Sequence, residues 1–372
     1  MNILIIHHCD SWGGAGVSLK DCCEMLSISH SVTVCVPHIN SIVAKELKKK
    51  SNIKLVSLED DMAMISAYNG GPSLLTRTFF LNLFKIHRCG RKISKLLSQN
   101  RYDLLLANSI TLSWVCKIAS YKKILACVYV RETKPSMHLG YFLQKWYIEK
   151  YADGVLFISE FDRDLMGFNV KYQTVVRDAL KVKPDSIIQD KVACRNSFNL
   201  PVDKTLILFM GGMDKLKGYD YVVNAMKIID NDDIVMVIAG NTNKHTRIER
   251  NNIIYVGLVT ETSILYRACD ILVFPSIEGH QARPVFESGF SKMPVIISDF
   301  PQTSYDVINA YNGLTVVPCD SQRLADAMIL LSKNKALRYE LGCNNEIMAK
   351  SRHDFYNCQK SLEEFIQTIA HN

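Results

Sequence analysis

The sequence predicts an α/β protein with two Rossmann-like, doubly wound parallel sheets facing a central cleft. Three observations predict it. The chain is long enough for two cores, short β-branched runs alternate with helix-length segments throughout, and a glycine-rich loop follows the first strand of each half. At 372 residues the chain exceeds one ordinary core, since domains run to roughly 100–200 residues. A hydrophobic share of 48% with 22% charged residues is that of a globular protein, and it excludes a disordered tail, a collagen or a small disulfide scaffold.

In the first half the strand candidates are Ile3–His7, Ser31–Val36, Ile53–Val56, Asp103–Ala107, Ile124–Val130, Gly154–Ile158 and Gln173–Val176. In the second half they are Thr205–Phe209, Ile234–Ala239, Ile253–Val256, Ile271–Phe274, Val295–Ile297 and Gly313–Val317. Runs that are apolar on both faces belong in parallel sheets covered by helical crossovers. Two successive series of strand–helix alternation give two such domains, 1–180 and 181–353. The seam falls within Asp178–Lys204, which holds Pro184 and Pro201, many charges and no strand period.

Twelve cysteines are scattered without a Cys-x-x-Cys spacing, so neither a zinc site nor a redox motif is expected. Unpaired cysteines used as small hydrophobes fit a reducing, cytoplasmic compartment. The N-terminus shows no basic leader or cleavage site. The longest stretch free of charge, Met25–Ala44, is too polar to span a bilayer. The net charge of +7 lies in the first half, where 23 Lys/Arg stand against 15 Asp/Glu.

Three loops carry the candidate chemistry. The first holds Gly13, Gly14, Ala15 and Gly16 between a strand and an amphipathic helix, where backbone can approach a ligand and helix N–H groups can meet an anion. Leu19 stands where a dinucleotide fingerprint needs its third glycine, and no acid follows the second strand, so a dinucleotide cofactor is disfavoured. The second loop, Gly211, Gly212, Lys215, Lys217 and Gly218, suits a phosphate cradle but is not a Walker A sequence. The third runs Glu278, Gly279, His280, Gln281, Ala282, Arg283, Pro284 to Glu287. Pro284 marks a helix start, so one carboxylate precedes the helix and the other sits a turn inside it. Such a pair can accept sugar and ribose hydroxyls while the helix end takes phosphates. Each loop also has a plainer reading: a tightly packed turn, solvated lysines, or a capping Glu278 with a surface Glu287.

These loops, in this order, accompany Asp103–Ser109 (DLLLANS), Val128–Glu132 (VYVRE), Phe157–Met166 (FISEFDRDLM) and Asn312–Met328. Together they resemble the retaining glycosyltransferases of family 4, over nearly the whole chain and most strongly from Thr205 to Leu331. The resemblance implies the GT-B fold, an acceptor-binding first domain, a nucleotide-sugar-binding second domain and a last helix, 354–372, crossing back to the first. It implies that Glu278 contacts donor-sugar hydroxyls, Glu287 holds the ribose and Lys217 neutralises the diphosphate. It likewise implies that the loop at Gly14 closes over phosphates and acceptor. Two departures stand out. Eight residues separate the glutamates where the family has seven, and Gly212 replaces an arginine ahead of the Lys-Gly step. Arg283, carried by the longer loop, is the expected substitute for that cation. The family's N-domain histidine motif is not evident. Arg131 and Glu132 occupy its place beside His138, while His7, His8 and His138 read more simply as structural histidines.

The expected reaction moves a sugar from a nucleotide-diphosphate sugar to a hydroxyl of a saccharide, with retention implied by the family. Fixed N–H dipoles and Lys217 stabilise the departing diphosphate. No obligatory metal or other cofactor is expected: Asp162 and Asp164 suit a helix start, and Asp232 and Asp233 precede a strand in solvent. The stretch Arg77–Arg101 interleaves cations with leucines and aromatics, as in a helix lying on an anionic bilayer. Its simpler reading is an amphipathic helix packed on the sheet. A lipid-linked acceptor, surface polysaccharide synthesis and a peripheral place on the inner face of the membrane follow from the resemblance. No nucleic-acid motif accompanies the patch. The alternatives are a non-hydrolysing sugar-nucleotide epimerase and a catalytically silent nucleotide-sugar-binding scaffold.

Overall fold

The computed structural model describes residues 1–50, 52–65, 77–133, 139–181, 190–243, 245–279 and 281–371. His138, His280 and Pro184 lie outside the described residues. The chain divides into two compact units, the first Met1–Ala179 with Phe355–Asn372 and the second Leu180–Asp354. Among the described residues thirteen strands form, each within one residue of its expected ends. No helix of the described residues is long and apolar enough to cross a membrane.

The first unit runs β1 (Asn2–Ile6), α1 (Gly14–Leu26), β2 (Ser31–Val36), α2 (Ile42–Lys48), β3 (Ile53–Ser57), α3 (Arg77–Gln99), β4 (Leu104–Ala107) and α4 (Val115–Tyr121). It continues with β5 (Leu125–Val130), α5 (Leu139–Tyr151), β6 (Gly154–Phe157), α6 (Glu160–Met166) and β7 (Tyr172–Val175). Its seven strands pair in the order β3-β2-β1-β4-β5-β6-β7, all parallel. Alternation along each strand feeds two cores. Ile3 and Ile5 join the side chains of α1, whereas Leu4 and Ile6 join Cys89 and Ile93 of α3 and Trp114 beside α4.

The second unit runs α7 (Lys191–Asn196), β8 (Thr205–Phe209), α8 (Tyr219–Ile228), β9 (Ile234–Ala239), β10 (Ile253–Gly257), α9 (Thr262–Ala268), β11 (Ile271–Phe274) and α10 (Arg283–Gly289). Then come β12 (Val295–Ser298), β13 (Gly313–Val316), α11 (Ser321–Lys333) and α12 (Lys335–His353). The sheet order is β10-β9-β8-β11-β12-β13, again parallel. The last helix, α13 (Phe355–Ala370), belongs to the first unit. It buries Phe355, Cys358, Leu362, Phe365, Ile366 and Ile369 on the core beside α1. At roughly 1.5–3 kcal/mol for each large apolar side chain buried, that is enough to hold it. Gly154 opens the space: a Cβ there would stand 2.6 Å from the Phe365 ring.

Both sheets reverse their strand order once, between β1 and β4 in the first and between β8 and β11 in the second. The carboxyl ends of strands at such a reversal are where open α/β sheets bind ligands. The three glycine- and glutamate-bearing loops follow β1, β8 and β11, so all three emerge at these two places.

Candidate functional site

In the second unit the β8 loop and the β11 loop are locked together. Gly218, the cap of α8, has φ 92°, and a Cβ on it would overlap the carbonyl oxygen of Pro275. One residue beyond Pro275 and Ser276, the Ile277 N–H donates to the Leu216 carbonyl at 3.0 Å. The backbone on both sides of Lys217 is therefore held against the segment leading into Glu278. Lys217 is half-buried and forms no hydrogen bond or ion pair with any described residue. Lys215, by contrast, is 81% exposed and reaches only Asp220, at 3.8 Å. Gly211 and Gly212 are both buried. Gly212, at φ 59°, lies against Asn241, whose carbonyl oxygen would be 2.5 Å from a Cβ there, and its N–H donates to Ala239 at 2.8 Å.

The third loop enters α10 at Arg283, with Ala282 as an extended N-cap and Pro284 at the start of the helix. Glu278 is exposed, Gln281 is half-buried and Ala282 is buried. Gly279 makes room for a neighbour, because a Cβ there would overlap the carboxamide oxygen of Gln302. One turn into the helix, Glu287 is almost enclosed. Its Oε1 accepts from Arg283 Nε at 2.9 Å, and its Oε2 accepts from the Tyr266 hydroxyl at 2.9 Å. The Arg283 and Glu287 side chains are 9% and 11% exposed. Burial and the neighbouring Glu287 carboxylate push the Tyr266 phenol far above its ordinary range. The i,i+4 spacing of Arg283 and Glu287 was legible in the sequence. Tyr266 was not, because α9 is joined to α10 only in space.

In the first unit the loop after β1 opens α1 with Gly13 as an extended N-cap that offers no side-chain acceptor. Gly13 and Gly14 are exposed, Ala15 is half-buried and Gly16 is buried. A Cβ on Gly16 would press on the Trp12 ring at 3.0 Å. Behind this loop lies a relay of hydrogen bonds. Arg131 forms an ion pair with Asp178, which also accepts from Ser18 of α1 at 2.5 Å. Arg131 Nε donates to Asn108 Oδ1 at 2.9 Å. The Asn108 amide nitrogen must then donate to His7 Nδ1, at 3.2 Å. His7 consequently carries its proton on Nε2 and donates it to Cys9 Sγ at 3.3 Å. Burial, aided by His8 and Arg131, pushes the His7 pKa down to about 3, so the ring is neutral at ordinary pH. Burial alone would lower the Arg131 pKa, but Asp178 outweighs it and raises it.

His7, His8 and Cys9 bring potential metal-ligand atoms within 4.8 Å of one another. An ion there would need the Nε2 lone pair that the relay commits to N–H, so the network opposes that use. Glu132 has a different task. It accepts from the Ser109 hydroxyl and, at 3.1 Å each, from the Ile110 and Arg131 backbone N–H groups, which fixes the loop after β4. Asp162 is likewise engaged: its N–H and carboxylate both bond the Ser159 hydroxyl at the start of α6.

On α3 the buried face is Cys89, Ile93 and Leu97. The opposite stripe, at alternating steps of three and four, is Leu81, Phe84, Arg88, Arg91 and Lys95, all exposed. Part of its charge is answered locally, since Asp60 pairs with Arg88 and Lys92 and Asp61 pairs with Lys85. The side chains of residues 77–80 and 83 lie outside the described residues.

Residues 190–348 match the family described as Glycosyl transferases group 1. An uncharacterized glycosyltransferase of Methanocaldococcus jannaschii is 26% identical over 148 residues, 37% of this chain and 38% of that protein. The chain thus aligns with well under half of that relative's length. An uncharacterized 41.2 kDa protein in the cps region of Klebsiella pneumoniae is 23% identical over 270 residues, 65% of this chain and 75% of its own. Among solved structures, Anabaena HepE in complex with UDP-glucose superposes with a TM-score of 0.80 at 15% identity, covering 99% of this chain and 100% of that one. The fold is that of the GT-B glycosyltransferases, and the group 1 match supports a glycosyltransferase.

Proposed function

We propose that the chain transfers a sugar from a nucleotide-diphosphate sugar to a hydroxyl of a saccharide, with retained anomeric configuration, as the family 4 resemblance implies. One observation carries this reading. Lys217 is a half-buried cation with no acidic partner among the described residues, held at the strand-order reversal beside the loop that bears Glu278. A cation placed so is suited to an anionic ligand, and in bond breaking the negative charge grows on the departing diphosphate. Lys217 stabilises that charge more in the transition state than in the ground state. Glu278 accepts hydroxyls of the donor sugar, and Glu287 those of the ribose. Arg283, bonded to Glu287, is the second cation toward the diphosphate and couples its two ends. With both cations in place the reaction needs no metal and no further cofactor.

The acceptor belongs to the first unit, near Gly13–Gly16, Arg131 and Glu132. We assign it to the saccharides, lipid-linked, of surface polysaccharide synthesis, which the location of the Klebsiella relative in a cps region supports. The stripe Leu81–Lys95 of α3 then rests on an anionic membrane surface, on the cytoplasmic side. An epimerase or a silent scaffold is not favoured, since the group 1 match covers Lys217, Glu278 and Glu287 together. A thermal-shift screen against nucleotide sugars tests the reading. A donor at about one hundred times its dissociation constant adds about 2.7 kcal/mol, or roughly 5–11 °C for a domain of this size. No shift with any nucleotide sugar, together with no transfer of labelled sugar, would overturn it.

A further inference from the structure

The glycine loop of the first unit is tied to its surroundings through one residue. Among the described residues, every hydrogen bond from Asp10–Trp12 to another element runs through Asp10. Its carbonyl accepts from the Val43 N–H, in the first turn of α2, at 3.3 Å. Its carboxylate accepts from the His38 backbone N–H at 3.3 Å and from the His38 ring Nδ1 at 2.6 Å. β1 and β2 are adjacent and parallel, so the two loops leave the sheet side by side. Trp12 adds an apolar contact: a Cβ on Gly16 would meet its ring at 3.0 Å and the Val43 side chain at 3.4 Å.

The His38 side of this junction is anchored. The His38 carbonyl accepts from the Ser41 N–H at 3.2 Å, Ser41 caps α2 by accepting from the Ala44 N–H at 3.1 Å, and the Ile39 N–H donates to Glu59 Oε1 at 3.1 Å. The Asp10 side leads instead into Gly13 and Gly14, both exposed. Glu59 and Asp61, from the segment after β3, also act on His38. Lys92 acts on Glu59, Lys85 pairs with Asp61 at 3.4 Å, and Lys48 of α2 reaches the Ile39 carbonyl at 3.5 Å. The hydrogen bond to Asp10, together with these carboxylates, raises the His38 pKa above its ordinary value. Its contribution is therefore fully present below about pH 6.5 and is lost as pH rises through the raised value. Both side chains are 39% exposed, so the charge pair changes the closed-to-open ratio of the loop only about two- to fivefold. That is negligible for the whole fold but not for a surface loop, whose opening lies near zero in free energy.

We propose that Asp10 and His38 are positioning residues for the glycine loop: while His38 is protonated, their ion pair holds Asp10–Gly16 against the start of α2, and loss of that proton releases it. Only the substrate over which the loop closes rests on the transfer reading above.

Trp12, one of three tryptophans, rides on the loop and reports its position without any substrate. Fluorine NMR of the full chain labelled with 5-fluorotryptophan follows it between about pH 5.5 and 9, with Trp12→Phe assigning its resonance and the buried Trp114 as internal control. In the wild type Trp12 titrates with a midpoint above about 6.5 while Trp114 stays still. His38→Gln keeps Trp12 close to its high-pH position throughout. Asp10→Asn distinguishes a latch from proximity to a charge. The imidazole still titrates there but lacks its charged partner, so Trp12 again keeps its high-pH position. A wild-type Trp12 that does not titrate, an undiminished titration in His38→Gln, or one in Asp10→Asn that matches the wild type would each overturn the latch. Should His38→Gln fail to fold, His38→Asn makes the same comparison. Thermal shifts with nucleotide sugars, run on the same samples, separate the two ideas. A donor shift with an unmoved Trp12 removes the latch alone, and a titrating Trp12 without donor shift or transfer removes the transfer reading alone.

Discussion

Alanine at Gly218 tests the junction between the Lys217 and Glu278 loops most directly. Gly218 sits at φ 92°, where an L side chain costs about 1–2 kcal/mol. Its Cβ would also overlap the Pro275 carbonyl oxygen and stand 2.7 Å from the carbonyl carbon, so the two loops must part. The 3.0 Å bond from Ile277 to Leu216 parts with them, for about 1 kcal/mol more. The total is about 3 kcal/mol, and at roughly 2–4 °C per kcal/mol the melting temperature falls by about 6–12 °C. Gly257 provides the control. It too is left-handed, at φ 71°, but nothing lies within 4 Å of a Cβ there, so Gly257→Ala bears only the backbone cost, roughly 2–8 °C. Differential scanning calorimetry reads both, and the nucleotide-sugar shift is measured on each. Equal melting temperatures would show that the loop contact does not require the glycine. An undiminished donor shift in Gly218→Ala would separate the junction from donor binding.

Lys217→Ala should cut transfer by about 10²–10³-fold, as loss of one charge-stabilising donor does, whereas Lys215→Ala should leave it within about twofold, because its charge is solvated; steady-state kinetics decides, and equal effects would refute the assignment. Arg283→Met breaks an enclosed ion pair and should cost about 3 kcal/mol in urea unfolding, most of it recovered in Arg283→Met/Glu287→Leu. The same arginine tests the diphosphate role, since unchanged donor affinity and turnover in Arg283→Ala, beside a dead Lys217→Ala, would end it. Between pH 6.5 and about 3 the unfolded chain protonates His7 while the folded chain does not, so stability falls with pH by about 1.4 kcal/mol per unit. His7→Asn should flatten the pH 6.5-to-4.5 difference in unfolding free energy by about 2–3 kcal/mol, and an unaltered slope would show that His7 is not the group. Phe84→Asp with Leu81→Asp should abolish sedimentation with anionic vesicles, and sedimentation that persists would place the membrane contact elsewhere.

The strands were legible because parallel sheets demand β-branched runs apolar on both faces, and runs such as Ile234–Ala239 have no other reading. Sheet order was less legible, because nothing local says that β4 rather than β3 lies beside β1. The glycine loops declared themselves by composition, and Arg283 with Glu287 by helical spacing. What stayed hidden depends on distant chain. Tyr266 reaches Glu287 across 21 positions. Asp178 reaches Arg131 across 47 and Ser18 across 160. Sequence reading placed Arg131 with the acceptor loop on position alone. Its ion pair, its bond to Asn108 and its stacking 3.9 Å over the Tyr129 ring show a guanidinium that orders the relay behind that loop. His7 and His8 are neighbours of one residue type, and only their partners distinguish them.

Both units use one plan, a glycine-rich loop after the first strand at the strand-order reversal, yet they treat charge in opposite ways. In the second unit Lys217, on the loop at the reversal, has no acidic partner among the described residues. In the first unit Arg131 is matched by Asp178. An unmatched cation selects an anion, whereas a matched one leaves room for a neutral partner. Two substrates of a transfer reaction differ in just this respect, one a diphosphate and one an alcohol, so the unequal charge pairing supports giving each unit a different partner.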